Sequence, residues 1–265
     1  MRQWRFGHHE SKDVPQGVGL TAGALALGGA AVYAATRDSD VLDDHFEGTE
    51  KVLVTRFGLG KAGGLLEEVR QEYEALRPEM PYIGGEENMF TEWLTYGVYY
   101  LAVYRVLTAE GQRVEEVGKV IFDAFQAMAD YPQWLLRLVG SLRYNDRYVN
   151  GLKEATARTQ ERRYPGDWVA TFLEGDGEAF DYGIDITECG ICKFYRAQAA
   201  EELAPYLCLS DYVVSEAFER GPVRYRTLAE GADVCDFRYG KGRETFVNPL
   251  RDGWPPTFLT GKEGL

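Results

Sequence analysis

The chain has 265 residues, of which 45% are hydrophobic, so it can bury one large core or two smaller ones. Its net charge of −13 and its pI near 4.8 argue against nucleic-acid binding, because contacts to phosphates need a basic surface. Four cysteines are too few for a disulfide scaffold. The only histidines, His8, His9 and His45, lie far from the cysteines in sequence, which argues against a histidine-based catalytic centre.

Residues 17–36 form an uncharged segment, rich in glycine and alanine, with the length of one membrane span. Basic residues precede it and aspartates follow it, which would leave the N-terminus in the cytoplasm. Val32-Tyr33-Ala34 also fits a signal-peptide cleavage site. Because the segment is only weakly hydrophobic, a small-residue helix packed on the domain is a further interpretation. Membrane association through residues 17–36 therefore stays open, and the protein is expected to be cytoplasmic or anchored by a single N-terminal helix.

Residues 37–50 are acidic and predict a linker. Apolar residues at helical spacing then predict helices around residues 65–76, 86–108, 114–128 and 132–142. The charge-rich stretch 146–163 ends in a cluster of arginines, Arg158, Arg162 and Arg163. This cluster is typical of a solvated helix face, and a substrate-anion site is the alternative.

After Pro165-Gly166 the hydrophobic period changes from that of helices to that of strands. The pattern predicts two strands, two helices and two further strands, at residues 168–173, 180–189, 190–203, 211–219, 223–228 and 234–239. The predicted class is α+β: an N-terminal helical subdomain followed by a β-β-α-α-β-β antiparallel sheet with helices on one face. The predicted division is an N-terminal segment, a helical subdomain, a cysteine-containing α+β subdomain and an irregular tail, at residues 1–37, 38–164, 165–245 and 246–265.

Cys189 stands where a predicted strand is followed by a predicted helix. Unpaired N–H groups and the helix dipole at such a position favour a thiolate, so Cys189 is the candidate reactive residue. Cys192 falls in the first helical turn and is expected to pack. Asp211 most simply caps the helix that begins there. The spacing C-x2-C followed by two single cysteines is half of a zinc motif.

Four short motifs resemble the L-2-amino-thiazoline-4-carboxylic acid hydrolase family. They are Thr187-Glu188-Cys189, then residues 202–211 (ELAPYLCLSD), residues 226–231 (RTLAEG) and Cys235-Asp236-Phe237-Arg238. The similarity covers roughly residues 50–242. It implies hydrolytic opening of a small cyclic amidine such as 2-amino-thiazoline-4-carboxylate, by attack at the C=N carbon, with an N-carbamoyl cysteine as the product of the type reaction. Such chemistry needs a nucleophile or activated water, an acid for the departing ring heteroatom and a cation for the carboxylate.

The resemblance assigns roles to the motif residues. Cys189 is the candidate nucleophile, and Glu188 or Asp211 is the candidate acid–base group. The candidates for binding the small-molecule substrate are Arg226, Arg238 and Asp236, although Asp236 could equally form only an ion pair on the sheet. Cys189, Cys208 and Cys235 are candidate ligands of a divalent metal such as zinc, which would activate water. The alternative to an enzyme is a non-catalytic small-ligand or metal-binding module, tethered to a membrane if residues 17–36 insert.

Overall fold

This computed structural model of the chain describes residues 41–129 and 131–247. The predicted membrane segment at residues 17–36 and most of the predicted tail at 246–265 lie outside these ranges. Among the helices that are described, none is both long and apolar enough to cross a bilayer. The predictions about residues 17–36 and about localisation therefore stay predictions.

Six helices form the first half of the described chain. The third, α3, is the central one: it is buried on most of its surface, as its run of apolar residues predicts, and it packs against its neighbours α2 and α4. The first helix, α1, packs against both α2 and α4. The helices are α1 Val41–Phe57, α2 Leu59–Leu76, α3 Thr91–Ala109, α4 Val114–Met128, α5 Gln133–Ser141 and α6 Asp146–Thr159.

The prediction of a linker at residues 37–50 is wrong from residue 41 onward, where α1 begins. Its buried side chains, Leu42, His45, Thr49 and Leu53, recur at helical spacing. The acidic residues lie between them and are exposed to solvent. The acidic composition therefore masks an amphipathic helix whose buried stripe includes a histidine and a threonine.

His45 is a core residue rather than a surface histidine. Its Nδ1 hydrogen-bonds the hydroxyl of Tyr100 at 2.9 Å, and the rings of Tyr96, Tyr99 and Phe125 surround it. Burial lowers the pKa of His45 to about 3, because the charged imidazolium would lose its hydration there. The imidazole is consequently neutral at physiological pH.

The second half of the described chain forms a small sheet and three short helices. The strand order is β1-β2-β4-β3-β5, in which the first four strands pair antiparallel and the two-residue β5 pairs parallel to β3. The predicted α+β class is confirmed. The elements are β1 Val169–Glu174, β2 Tyr182–Glu188, α7 Gly190–Ala197, α8 Ala204–Leu207, α9 Ser210–Ala217, β3 Pro222–Arg224, β4 Cys235–Tyr239 and β5 Phe246–Val247.

The predicted strand at residues 223–228 is shorter than the pattern suggests. It ends at Arg224, and a 3-10 turn follows at Leu228–Glu230. The hydroxyl oxygen of Thr227 accepts a hydrogen bond from the N–H of Ala229 and so caps this turn. A local side-chain bond of this kind offers the backbone an alternative to the strand ladder.

One face of the sheet packs on the helices. Ile184 and Ile186 on β2 lie opposite Phe237 and Cys235 on β4, and all four are buried. A single continuous hydrophobic cluster contains these residues together with the buried residues of α1 to α4. The helices and the inner face of the sheet thus share one core, against which the site residues described below are held.

Acidification is expected to destabilise the protein through His45. The pKa of the imidazole is about 3 in the folded chain and near 6.5 when exposed, so the unfolded state binds the proton first as the pH falls. The stability that His45 contributes is complete above pH 6.5 and falls by about 1.4 kcal/mol per pH unit below it. Urea unfolding at several pH values between about 7 and 5 measures this slope.

The variant His45→Gln provides the control, because glutamine does not titrate. Its free energy of unfolding should depend less steeply on pH than that of the wild type, and the difference should approach the slope given above. Parallel pH profiles for the two proteins would show that His45 is not the buried titrating group.

Candidate active site

Cys189 is the N-cap residue of α7, directly after β2, as the sequence predicts. Its backbone is extended, with φ −112° and ψ 123°, and its carbonyl accepts a hydrogen bond of 3.0 Å from the N–H of Lys193. The next residue, Gly190, allows this junction: a Cβ there would lie 2.5 Å from the Trp168 ring and 2.7 Å from the carbonyl oxygen of Gly166. The helix can therefore begin close against the preceding loop only with glycine at this position.

The surroundings of the Cys189 sulfur lower its pKa. The largest contribution is a hydrogen bond from the thiol of Cys192, followed by the backbone N–H groups of Cys192 and Ile191. Burial and the charge of Asp211 act in the opposite direction but do not cancel these contributions. The same hydrogen bond between the two thiols, together with burial, raises the pKa of Cys192. Cys189 is thus the sulfur that ionises first, the property expected of a reactive cysteine.

Cys208 and Cys235 are joined through one threonine. The hydroxyl of Thr227 donates to Sγ of Cys208 at 3.9 Å and accepts from Sγ of Cys235 at 3.5 Å. The N–H of Leu228 also donates to Sγ of Cys235 at 3.2 Å. Burial raises the pKa of both thiols, so both are protonated at neutral pH. The charge of Cys189 acts on both of them, which places the three sulfurs in one region.

Metal binding by Cys189, Cys208 and Cys235 stays a prediction. Among residues 41–129 and 131–247, no group of three or more His, Cys, Asp or Glu side chains is arranged to hold a metal ion. The candidate ligands are engaged otherwise: Cys208 and Cys235 contact Thr227, whereas Cys189 contacts Cys192.

Asp211 lies near the thiols but does not cap α9. The N-cap residue of α9 is Leu209, and the Asp211 carboxylate instead accepts a hydrogen bond from Nη1 of Arg224 on β3. The Arg224 side chain is only 3% exposed, and its Nη2 donates to the carbonyl oxygen of Cys208 at 3.2 Å. The guanidinium also lies 5.0 Å from the centre of the Phe237 ring. A buried cation must be paired, so the Asp211 carboxylate binds Arg224 instead of capping the N–H groups of α9.

Tyr96 on α3 completes the cluster. Burial raises the pKa of its hydroxyl, and the charges of Asp211, Glu92, Cys208 and Cys189 raise it further. The hydroxyl is therefore protonated at neutral pH and can donate a hydrogen bond. Neither Tyr96 nor Arg224 is predicted from the sequence. Two sequence features pointed to them: Glu92 and Tyr96 lie four residues apart on a mostly apolar helix, and an arginine occupies an inward position of β3.

Glu188 is placed outside this cluster. Its carboxylate accepts hydrogen bonds from Nζ of Lys193, at 2.6 Å, and from Nη1 of Arg162. These two cations lower the pKa of Glu188 and favour its ionised form. A carboxylate in that state is poorly suited to act as the predicted general acid.

The other predicted binding residues lie on the opposite face of the sheet from Cys235. Asp236 accepts hydrogen bonds from the N–H groups of Tyr225 and Arg226 and pairs with the Arg226 side chain, whereas Arg238 pairs with Asp185 at 2.7 Å. Because side chains alternate along β4, Asp236 and Arg238 cannot share the buried face of Cys235. The structure thus gathers Cys189, Cys208, Cys235 and Asp211, and it leaves out Glu188, Arg226, Arg238 and Asp236.

A family model described as L-2-amino-thiazoline-4-carboxylic acid hydrolase matches residues 93–239, more than half of the chain. The chain belongs to this family. No curated protein and no solved structure gives a significant match. The family match begins within α3, before Tyr96, and ends at the last residue of β4. All the members of the cluster therefore lie inside the region that the family shares, and residues 17–36 lie outside it.

Replacing Asp211 by asparagine is expected to lower the pKa of Cys189 further. The Asp211 carboxylate raises that pKa, and its removal also leaves the positive charge of Arg224 without its partner. Alkylation by iodoacetamide, followed over a range of pH, measures the midpoint for each thiol. Trypsin separates Cys208, in residues 197–220, and Cys235, in residues 227–238, from peptide 164–193, and fragmentation of that peptide by mass spectrometry distinguishes Cys189 from Cys192.

Glu216→Gln is the matched control, because it removes one negative charge from an exposed position of the same helix. Its Cys189 midpoint should equal that of the wild type. A midpoint in Asp211→Asn that stays in place or moves to higher pH would contradict the electrostatic assignment.

Gly190→Ala is expected to destabilise the fold by about 1–3 kcal/mol, the usual effect of adding atoms to a packed region. The added methyl group would meet the Trp168 ring and the carbonyl of Gly166. Gly64→Ala in α2 is the control, because a Cβ at that position meets no atom within 4 Å and alanine favours helix. Urea unfolding should show a loss only for Gly190→Ala, and equal stabilities would refute the close packing at the start of α7.

Proposed function

We propose that the protein hydrolyses a small cyclic amidine of the 2-amino-thiazoline-4-carboxylate type, with Cys189 as the nucleophile. The supporting observation is a half-buried thiol of lowered pKa at the N-terminus of α7, inside the region matched by the family model. The family name supplies the class of reaction, and the cluster around Cys189 supplies groups able to perform it.

In the first step the Cys189 thiolate attacks the ring carbon between nitrogen and sulfur. The carbon–sulfur bond of the ring breaks, and the departing sulfur takes up a proton. We assign this proton to Tyr96, because its raised pKa keeps the hydroxyl protonated at neutral pH. Glu188 is the weaker choice, since Arg162 and Lys193 hold it in the ionised form. The product of the first step is an amidine bonded covalently to Cys189.

In the second step water attacks the same carbon, and Cys189 departs as a thiolate. Asp211, held in place by Arg224, is the group assigned to accept the proton of the attacking water. The carbon then carries an oxygen and two nitrogens, which is the carbamoyl group of the N-carbamoyl product. The second proton of the water ends on the former ring nitrogen, and the proton held by Asp211 replaces the one that Tyr96 gave up. Substrate and one water molecule therefore account for all atoms of the product, and both side chains return to their starting states.

The substrate carboxylate needs a cation, and Arg224 is the arginine that lies with the thiols. It is buried, contacts Asp211 and the backbone of Cys208, and keeps its Nε without a hydrogen-bond partner in the described chain. Arg226 and Arg238 are on the far face of the sheet with aspartate partners. We therefore assign carboxylate recognition to the positive charge of Arg224.

The proposal predicts that Cys189→Ala lowers kcat for ring opening at least about 10²-fold, because the nucleophile is lost. Tyr96→Phe should lower kcat by about 10²-fold, since it removes only a proton donor. The carbamoyl product is followed by liquid chromatography and mass spectrometry. A new thiol in the product indicates cleavage of the ring carbon–sulfur bond, whereas a new primary amine indicates cleavage of the carbon–nitrogen bond.

Arg226→Ala is the control on the far face of the sheet, and its KM should stay within about twofold of the wild-type value. A tenfold rise in the KM of Arg226→Ala would show that Arg226, and not Arg224, binds the substrate carboxylate. Full activity of Cys189→Ala would remove Cys189 from the mechanism. If the wild type binds the substrate in calorimetry but releases no product, the protein is instead the non-catalytic ligand-binding module.

A further inference from the structure

Cys189 and Cys192 are two thiols in a single helical turn. Cys189 is the N-cap residue of α7, and Cys192 is the third residue of that helix. Helix geometry places Cα atoms at these two positions about 5–6 Å apart, within the range that a disulfide spans. Both side chains are half-buried rather than sealed in the core, and each thiol is the largest influence on the pKa of the other.

The other two cysteines are engaged differently. Cys235 is buried and receives the N–H of Leu228, and it contacts Cys208 only through Thr227. Both Cys208 and Cys235 have raised pKa values, so neither competes with Cys189 as a thiolate. The hydrolytic mechanism uses Cys189 as the nucleophile and needs only a hydrogen-bond donor from Cys192, not its sulfur.

We propose that Cys189 and Cys192 are a redox-active pair that exchanges with small-molecule disulfides and closes into an internal disulfide. In the first step the Cys189 thiolate attacks one sulfur of the external disulfide, forms a mixed disulfide and releases a thiolate. The Cys192 thiol then loses its proton, attacks the Cys189 sulfur and releases the second thiolate. The protein gives up two electrons and two protons, and the external disulfide becomes two thiols.

The two sulfurs are suited to different steps. The first turn of α7 favours the thiolate of Cys189, which is the attacking group. Cys192 keeps its proton until the mixed disulfide forms, because its raised pKa depends chiefly on the hydrogen bond to Cys189. Once Cys189 is bonded to another sulfur, that hydrogen bond no longer holds the proton, and Cys192 is free to attack.

Closure of this disulfide would also stop hydrolysis, since it removes the nucleophile. This consequence rests on the proposed function, whereas the disulfide itself does not. The pair would then act as a reversible switch, opened again by a dithiol such as dithiothreitol.

The test equilibrates the protein in buffers with different ratios of oxidised to reduced dithiothreitol. Acid traps the thiols, iodoacetamide alkylates those that are free, and trypsin releases the three cysteine peptides, 164–193, 197–220 and 227–238. As the buffer becomes oxidising, the peptide with Cys189 and Cys192 should lose both alkyl groups together. The peptides with Cys208 and Cys235 should keep theirs.

Cys192→Ser is the decisive variant, and Cys208→Ser is its matched control. In Cys192→Ser, Cys189 should stay alkylatable in every dithiothreitol buffer, because the second thiol of dithiothreitol closes its own ring and releases Cys189 from the mixed disulfide. Cys208→Ser should still close the pair. Circular dichroism establishes that each variant is folded, and Cys189→Ser provides a second variant that must also fail to close.

Two results would overturn the proposal. One is a wild-type peptide 164–193 that remains doubly alkylated in the most oxidising buffer, and the other is a disulfide joining that peptide to 197–220 or 227–238. For the switch, wild-type ring opening should be at least about tenfold slower in oxidising than in reducing buffer. The two rates should be nearly equal in Cys192→Ser. The peptide analysis detects the disulfide without any ring-opening reaction. Failure of the proposed hydrolysis can therefore be distinguished from failure of the redox pair.

Discussion

The antiparallel pairing of β2 with β4 holds the site together. Ile186 lies opposite Cys235 in this ladder, so the end of β2 and the start of β4 are neighbours although they are far apart in sequence. Cys189 follows the end of β2 directly, and the Thr227 turn precedes β4. A slip of the register by one residue would turn Cys235 to the outer face and break its contacts with Thr227 and Leu228. The buried apolar face therefore fixes the position of the chemistry as well as the fold.

The electrostatics of the cluster depend on local dipoles more than on net charge. The cation near the thiols, Arg224, is paired with Asp211, so its charge is largely compensated at Cys189. Asp211 in fact raises the pKa of Cys189, and the lowering comes from the Cys192 thiol and from N–H groups in the first turn of α7. Activation of this kind needs the helix to start at residue 190, and the absence of a side chain at Gly190 permits that start.

The sequence predicts those features that depend on local periodicity. The strand-to-helix position of Cys189 and the α+β order both follow from alternation and helical spacing within a few residues. Alternation also places Asp236 and Arg238 on one face of β4, opposite the face that carries Cys235. Tyr96 and Arg224 were not predicted, because their roles depend on residues far away in the sequence, such as Asp211 on α9 for Arg224 on β3. The helix at residues 41–57 was missed because composition outweighed the spacing of its buried residues.

The proposed hydrolysis does not explain why residue 192 is a cysteine. A serine hydroxyl there could donate a hydrogen bond to the Cys189 thiolate and would lower its pKa through the same contact. The backbone N–H groups of residues 191 and 192 would be unchanged. Stabilising the nucleophile therefore requires a donor at position 192, but not a sulfur atom. A sulfur adds one capacity that oxygen lacks, which is to form a covalent bond with Cys189 when electrons are withdrawn. The thiol at this position is thus accounted for by redox closure and not by ring opening.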